Sequence, residues 1–246
     1  MDFNWKNTRY NRQEAIPNFG VHGQKALQKS TVGIVGAGGV KSPILLYLAA
    51  AGVGKIKIID FDRVELSNLN RQILYTQSDI GLYKSEAAAT HLMELNPEII
   101  VEPMVNRLTR DNFEQLFHDC DLVFEGGNSS TEREAFNRAA LSSGKIYIHA
   151  SAQFNYGYVF TVVPTVTPCF ECVFDDLPRS HGGPVPIIGT ATAIAGSIAA
   201  SEAINILIGR GPQIINRILF FDGWLNQFID IPTTQKVGCS GCSPSK

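Results

Sequence analysis

A glycine cluster between two apolar runs constrains the fold of this chain more than any other feature. The β-branched run TVGIV at residues 31–35 is followed directly by Gly36, Gly38 and Gly39. The segment PILLYLAAA then has helical composition, and KIKIID alternates as a second strand that ends in Asp60. A strand, a glycine-rich turn, a helix and a strand within about thirty residues predict a βαβ unit, the opening of a doubly wound parallel sheet.

The same alternation of strands and helices continues along the chain. We predict helices at residues 84–95, 109–117, 130–143 and 187–207, and strands at residues 99–104, 121–125, 145–150, 156–164 and 217–222. The last two strands follow no clear βα repeat, so we expect antiparallel strands at the far end of the sheet. The predicted fold class is therefore α/β, a Rossmann-like, doubly wound and mainly parallel sheet with antiparallel additions in its C-terminal part.

Length and composition favour one globular domain over residues 1–246. The chain is 44% hydrophobic and 18% charged, with a formal net charge of −2. We expect a helical arm at about 1–30, a nucleotide-binding core at about 31–150 and a substrate and zinc part at about 151–246. The near-neutral charge predicts no nucleic-acid or membrane partner, and the polar start MDFNWKNTRYNRQ lacks a signal peptide's apolar segment. We therefore expect a cytoplasmic protein.

The glycine turn and Asp60 together indicate a nucleotide site. Glycines at the end of a strand let the backbone approach a phosphate, which then lies at the N-terminus of the following helix. Asp60 stands 24 residues after Gly36, where a carboxylate can accept hydrogen bonds from ribose hydroxyls. A tight turn without a ligand would give the same glycines, and an NAD-binding protein would show the same pair.

The segment after Asp62 favours ATP over NAD. It reads RVELSNLNRQILY and places polar side chains beyond the ribose-binding end of the sheet: Ser67, Asn68, Asn70, Arg71 and Gln72. Lys84 then begins the next helix. An arginine and a lysine that converge here suit a triphosphate and its leaving pyrophosphate better than a nicotinamide. Taken singly, either cation could also be a solvated surface charge.

The cysteines predict a metal site. Cys169 and Cys172 form one C-x-x-C pair, Cys239 and Cys242 form a second, and Cys120 stands alone. Two such turns can complete a closed tetrahedral zinc site, which leaves no open position for catalysis and is therefore structural. Free or redox-active thiols are the alternative, because the spacer between the pairs is much longer than in compact zinc ribbons.

The order of these segments resembles the ThiF/MoeB/HesA family, the bacterial relatives of ubiquitin-activating enzymes. The resemblance rests on RYNRQ at residues 9–13, GAGGVK, DFDRVELSNLNRQ, GLYK and the pairs CFEC and CSGC, and it covers nearly the whole chain. It implies a homodimer in which ATP adenylates the C-terminal glycine of a small ubiquitin-like sulfur carrier. It also implies that the second cysteine pair lies close to the C-terminus, as it does here.

The resemblance also assigns roles to individual residues. It places Gly39 against the phosphates and Asp60 at the ribose, and it lets Arg12 reach into the partner's site. The implied catalytic set is Arg12, Arg71, Lys84 and Asn128. The implied nucleotide-binding set is Gly36, Gly38, Gly39, Asp60, Asp62, Ser67, Asn68, Asn70, Arg71, Gln72, Lys84, Asn128 and Ser129. The implied cofactors are ATP, Mg²⁺ and structural Zn²⁺.

Three positions depart from the family pattern. Lys41 replaces the third glycine of the fingerprint, and its side chain could contact phosphate or point away from it. Asn128 replaces the aspartate that coordinates magnesium, as a natural or an engineered difference, and amide oxygen is a poorer magnesium ligand. The crossover loop near His181 carries no cysteine, and Cys120 precedes a strand, so we expect no covalent thioester or persulfide. His181 itself is a weak candidate for a substrate contact.

Three functions follow from these features. The first is adenylation of a carboxylate, either on a ThiS- or MoaD-like carrier or on a short ribosomal peptide of the kind modified by microcin synthetases. The second is a catalytically weakened nucleotide-binding scaffold, motivated by Lys41 and Asn128. The third, an NAD-dependent oxidoreductase, is disfavoured by SNLNRQ and by the cysteine pairs.

Overall fold

An eight-stranded sheet with helices on both faces forms the protein. The structure is a computed structural model that describes residues 9–127, 129–174 and 185–242. The strands are β1 Thr31–Val35, β2 Lys55–Ile59, β3 Ile100–Met104, β4 Leu122–Phe124, β5 Tyr147–Gln153, β6 Tyr156–Val162, β7 Arg217–Asp222 and β8 Gln227–Pro232. The helices are α1 Asn11–Glu14, α2 Gly20–Lys29, α3 Lys41–Ala51, α4 Lys84–Leu95, α5 Arg110–Phe117, α6 Ser130–Ser142, α7 Phe170–Phe174 and α8 Gly189–Leu207. Two short 3₁₀ turns lie at Leu66–Asn68 and Gln77–Asp79.

The strand order is β3-β2-β1-β4-β5-β6-β7-β8. The pairs from β3 to β5 are parallel, and the pairs from β5 to β8 are antiparallel. The predicted fold class is confirmed, including the antiparallel strands in the C-terminal part. Because β1 lies between β2 and β4, the chain reverses its direction of winding there, and ligands of such sheets bind at this switch point.

Two apolar cores lie on opposite faces of the parallel strands. One packs α3, α4 and α8 against the sheet, with Leu48 and Leu92 fully buried. The other packs α5, α6 and α7, with Phe117 and Phe136 among its aromatic members. Cys120 belongs to this second core, and burial raises the pKa of its thiol to about 12. A thiol in that state is no nucleophile near neutral pH.

The predicted elements match closely where the hydrophobic pattern is long. The bounds of β1, α4 and β7 coincide with the prediction, and Thr109 caps α5 by accepting a hydrogen bond from the Asn112 backbone N–H. Helix α3 begins two residues earlier than predicted, at Lys41. Strand β8 and helix α7 were not predicted, because every residue of β8 is exposed and α7 spans only five residues.

Helix α8 is the one helix of the described chain that is long and apolar enough to cross a membrane. It packs against α3, β5 and β6, and it carries Glu202, a carboxylate that is 2% exposed. One oxygen of Glu202 accepts hydrogen bonds from the Thr161 hydroxyl at 3.0 Å and from the backbone N–H groups of Gln213 and Ile214 at 2.8 and 2.7 Å. A buried carboxylate with these donors indicates a core helix of a folded domain.

We expect Glu202→Gln to lower the free energy of unfolding by about 1–3 kcal/mol, because it replaces a charged acceptor of three buried donors. Urea denaturation monitored by circular dichroism measures the change. The matched control is Glu94→Gln on the exposed face of α4, which should change stability by less than about 0.5 kcal/mol. Equal stability of the two variants would contradict this role of Glu202.

Candidate functional site

A cleft of about 680 Å³ opens at the carboxyl ends of the parallel strands. Its floor is the turn after β1, and its walls are the segments that follow β2, β3 and β4, together with residues of β5 and α6. The cleft therefore lies at the switch point between β1 and β4, the usual ligand position in a sheet of this kind.

The glycine turn after β1 and the loop after β4 meet at the floor of the cleft. Gly36 has φ +80°, in the left-handed region, and its N–H donates to the Ile59 carbonyl at 2.8 Å. A Cβ on Gly126 would lie 1.7 Å from the Val35 carbonyl oxygen, so the loop after β4 packs directly on the end of β1. At Gly38 a Cβ would meet only the Gln72 side chain, at 3.8 Å. Backbone thus lines the floor of the cleft.

Asp60 fastens this turn to the end of β2. One carboxylate oxygen accepts the Ala37 backbone N–H at 2.7 Å, and the other accepts the Asp62 N–H at 2.8 Å. Burial raises the pKa of Asp60, and these two N–H donors oppose that change. The side chain is 9% exposed and lines the cleft.

Lys84 and the segment after Asp62 form one wall. The Lys84 ammonium lies 3.2 Å from an Asp62 carboxylate oxygen and is almost fully buried. Arg71 donates to the Ser67 carbonyl at 2.8 Å and to the Asn70 side chain at 2.9 Å, which holds its guanidinium at the cleft.

The loop after β4 is held from two sides. Glu125, 2% exposed, accepts the Gly127 N–H through one oxygen, and its other oxygen lies 2.6 Å from Nδ1 of buried His149 on β5. Arg133 on α6 donates from Nε to the Gly127 carbonyl at 3.0 Å. The contact with His149 and the charges of Arg133 and Lys41 outweigh burial and hold the pKa of Glu125 below its usual range, whereas burial lowers the pKa of His149.

The acidic side chains of the cleft are all engaged. Those that line it in the described chain are Asp60, Asp62, Glu65, Glu125 and Glu132, and each already contacts an N–H, a hydroxyl or a cation of the protein. Asn128, where the family pattern has its magnesium aspartate, lies outside the described residues. Each carboxylate that lines the cleft in the described residues thus has at least one partner within the protein.

The structure brings most of the predicted nucleotide residues together. The predicted residues that line the cleft are Gly36, Gly38, Gly39, Asp60, Asp62, Asn68, Arg71, Gln72 and Lys84. Ser67 and Asn70 do not line it but contact residues that do. Ser129 caps α6 by accepting the Glu132 N–H at 3.2 Å. Arg12 is exposed on α1 and does not line the cleft of its own chain, and His181 lies outside the described residues.

Several residues of the site were not predicted. Arg107 follows β3, stacks over the Phe61 ring at 4.7 Å and lines the cleft. Glu125 and Arg133 also line the cleft from separate elements, and buried His149 contacts Glu125. The available signal was their position: polar residues just beyond the carboxyl ends of parallel strands gather at one edge of the sheet.

The four paired cysteines form a second centre. Their sulfur atoms all lie within 4.8 Å of one another, with 3.9 Å between Cys169 and Cys172 and 3.4 Å between Cys172 and Cys242. Ligands of tetrahedral zinc lie about 3.8 Å apart, since Zn–S bonds are about 2.3 Å long. The spacing and the all-thiol donor set therefore fit a closed metal site.

Buried Glu171 organises the surroundings of this cluster. It accepts two hydrogen bonds from the Arg138 guanidinium, at 2.9 and 2.8 Å, and one from the Asn137 amide at 3.0 Å. The Ser240 hydroxyl donates to it at 2.6 Å, which ties the C-terminal segment to α6 and α7. Asn137 also contacts the Cys169 sulfur at 3.6 Å.

Fold and cleft define a nucleotide-binding domain of the Rossmann-like class. Within it, residues 10–241 match the model of the ThiF family, and the chain belongs to that family. The predicted resemblance is therefore confirmed.

Curated relatives agree with this assignment. The chain is 36% identical over 245 residues to the sulfur carrier protein adenylyltransferase of Thermus thermophilus, covering 95% of this chain and 90% of that protein. It is 35% identical over 240 residues to the adenylyltransferase and sulfurtransferase MOCS3 of Culex quinquefasciatus, covering 96% of this chain. The chain spans 55% of the length of that second relative. The predicted enzyme class, adenylyltransferase, is that of these relatives.

Solved structures agree on the fold. A crystal structure of E. coli MccB with ATP superposes with a TM-score of 0.85 at 22% sequence identity, covering 98% of this chain and 75% of that one. At this identity the likeness concerns the fold alone.

We expect Gly38→Ala to separate binding from folding. The added methyl meets no backbone, so the free energy of unfolding should stay within about 0.5 kcal/mol or rise slightly. The methyl would nevertheless occupy the floor of the cleft, and ATP affinity measured by titration calorimetry should fall roughly tenfold or more, the effect of about 1.4 kcal/mol.

Gly126→Ala is the contrasting variant, because its Cβ would collide with backbone and should destabilise the fold itself. A Gly38→Ala protein with unchanged ATP affinity would show that the nucleotide does not approach this turn.

Proposed function

We propose that this protein is an ATP-dependent adenylyltransferase that activates the C-terminal carboxylate of a small ubiquitin-like sulfur carrier. The observation that carries the proposal is the cleft, where a glycine turn at the N-terminus of α3 meets the cations Arg71, Lys84 and Arg133. Three cations in this part of the cleft suit a triphosphate that must release pyrophosphate better than they suit the uncharged part of a nicotinamide cofactor.

The chain's own residues account for the chemistry. The carrier carboxylate attacks the α-phosphate, an oxygen–phosphorus bond forms, and the bond to the β-phosphate breaks, which releases pyrophosphate and leaves an acyl-adenylate. The backbone N–H groups at the start of α3 stabilise phosphate oxygens, and Asp60 accepts from the ribose with its remaining lone pairs. Arg71 and Lys84 stabilise the charge that develops on the leaving pyrophosphate, and the fixed sheet holds the reactants in line.

A protein carrier is favoured over a short peptide by the relatives that share about a third of the sequence. The Thermus relative is named for a sulfur carrier protein. The peptide alternative keeps the same cleft and the same chemistry, and it differs only in what occupies the substrate side. Mg²⁺ remains a prediction from the resemblance.

We also infer a cytoplasmic homodimer, in which Arg12 reaches the partner's cleft. The exposure of Arg12 on the short helix α1, away from its own cleft, is compatible with that role.

Zinc is the metal that we propose for the four cysteines. Four thiolates leave no site for substrate or water, so the metal would be structural and would couple the C-terminal segment to the fold. Hydrogen bonds to sulfur from the Lys236 N–H and the Gln235 amide, at 3.5 and 3.3 Å, would stabilise the thiolates.

ATP–pyrophosphate exchange tests the proposed reaction. Exchange should appear only when a carrier that ends in Gly-Gly is added, and a carrier without its last glycine is the control. Lys84→Met should reduce this exchange roughly a hundredfold or more, since it removes a charged group from the transition state. Exchange with a short peptide in place of the carrier would favour the peptide alternative, and ATP binding without exchange under any condition would favour a scaffold.

Cysteine substitution tests the metal site. We expect wild-type protein to contain one zinc per chain by mass spectrometry of metals. Cys239→Ser should lose that zinc and unfold at a lower temperature, because metal binding is part of the folding free energy. Cys120→Ser, a substitution in the apolar core, should keep the zinc. Wild-type protein that folds equally well after chelation and contains no zinc would refute the structural role.

A further inference from the structure

Lys41 stands at a position that a lysine does not usually occupy. It is the first residue of α3, where the dinucleotide-binding fingerprint has its third glycine. Its side chain is not turned to solvent: the residue is 6% exposed and lines the cleft. Of the two orientations that the sequence allows, toward the cleft or away from it, Lys41 has the orientation toward the cleft.

The surroundings of this ammonium are unfavourable for a cation. The N-terminus of a helix carries partial positive charge, which destabilises a cation there. Arg133 on α6 adds a second positive charge, and burial lowers the pKa of Lys41 to about 8. In the described chain, no hydrogen bond or ion pair joins the ammonium to a neighbour.

Glu125 offers only a partial compensation. Its charge acts on Lys41, but both of its oxygens are already engaged, one by the Gly127 N–H and the other by His149. The lysine is therefore a buried cation beside an acid that other groups hold. A ligand anion bound at the start of α3 would offset the positive charge of the helix N-terminus and of Arg133. It would also give the Lys41 ammonium the ion-pair partner that it lacks in the described chain.

We propose that Lys41 contacts the polyphosphate of the bound nucleotide and that it is a specificity residue for the triphosphate. This inference rests on the proposed ATP site and adds to it a cation carried by the chain itself. The Glu125–His149 pair then positions the loop after β4, and the nucleotide supplies the anion that Lys41 lacks.

The proposal predicts a loss of affinity that depends on the number of phosphates. Binding of ATP, ADP, AMP and adenosine is measured by titration calorimetry for wild type and for Lys41→Met. Loss of one charge-assisted contact should weaken ATP roughly ten- to a hundredfold. AMP should weaken much less, and adenosine should stay within about twofold. Lys41→Arg keeps a cation and should recover most of the ATP affinity.

Controls separate this role from a structural one. Lys55→Met removes a lysine at the opposite edge of the sheet, where it pairs with Glu102 at 2.8 Å, and should leave all four affinities unchanged. Lys41→Gln is a second neutral variant. If Lys41→Met folds poorly, Lys41→Gln takes its place in the titrations and should show the same dependence of affinity loss on the number of phosphates.

Two results overturn the proposal. If neutral variants of Lys41 weaken adenosine as much as ATP, or weaken neither, Lys41 is not a phosphate contact, although the ATP site stands. If wild-type protein binds no adenine nucleotide at all, the proposed function fails together with the role of Lys41.

Discussion

The two hydrogen bonds accepted by the Asp60 carboxylate hold the cleft together. They join the Ala37 N–H in the glycine turn to the Asp62 N–H after β2, at 2.7 and 2.8 Å. The backbone carbonyl of Asp60 in turn accepts the Ser85 hydroxyl at 2.9 Å, which attaches the start of α4. Three elements that carry different parts of the site are thus fixed around one buried residue. A nucleotide that binds here meets a cleft that is already formed, which limits the entropy lost on binding.

Helix α6 connects this cleft to the cysteine cluster. Arg133, near its start, donates to the Gly127 carbonyl at the cleft, and Asn137, one turn later, contacts both Glu171 and the Cys169 sulfur. Residues four apart lie on the same face of a helix, so one face serves both centres. A metal bound by these cysteines would therefore help to orient a helix that also lines the cleft. Four thiolate ligands leave no open coordination position, which fits a structural rather than a catalytic role for such a metal.

Local pattern accounts for what the sequence predicted. Elements that are determined by residues close in the chain can be predicted from the sequence, such as a β-branched strand, a glycine turn or an apolar helix. Strand β1 and helix α4 have the predicted bounds. The cysteine pairs are readable because C-x-x-C fixes two ligands on one turn. The contact between Glu125 and His149 could not be predicted, because β4 and β5 bring the two residues together only in the folded sheet. The orientation of Lys41 likewise depends on the packing of α3.

Intact-mass spectrometry of the carrier tests the central claim most directly. A carrier that ends in Gly-Gly, incubated with this protein and ATP, should gain the mass of one adenylyl group on its C-terminal carboxylate, and pyrophosphate should appear in equal amount. A carrier that gains a phosphoryl group, with ADP as the other product, would contradict the account. So would ATP that remains unconsumed while the carrier keeps its original mass.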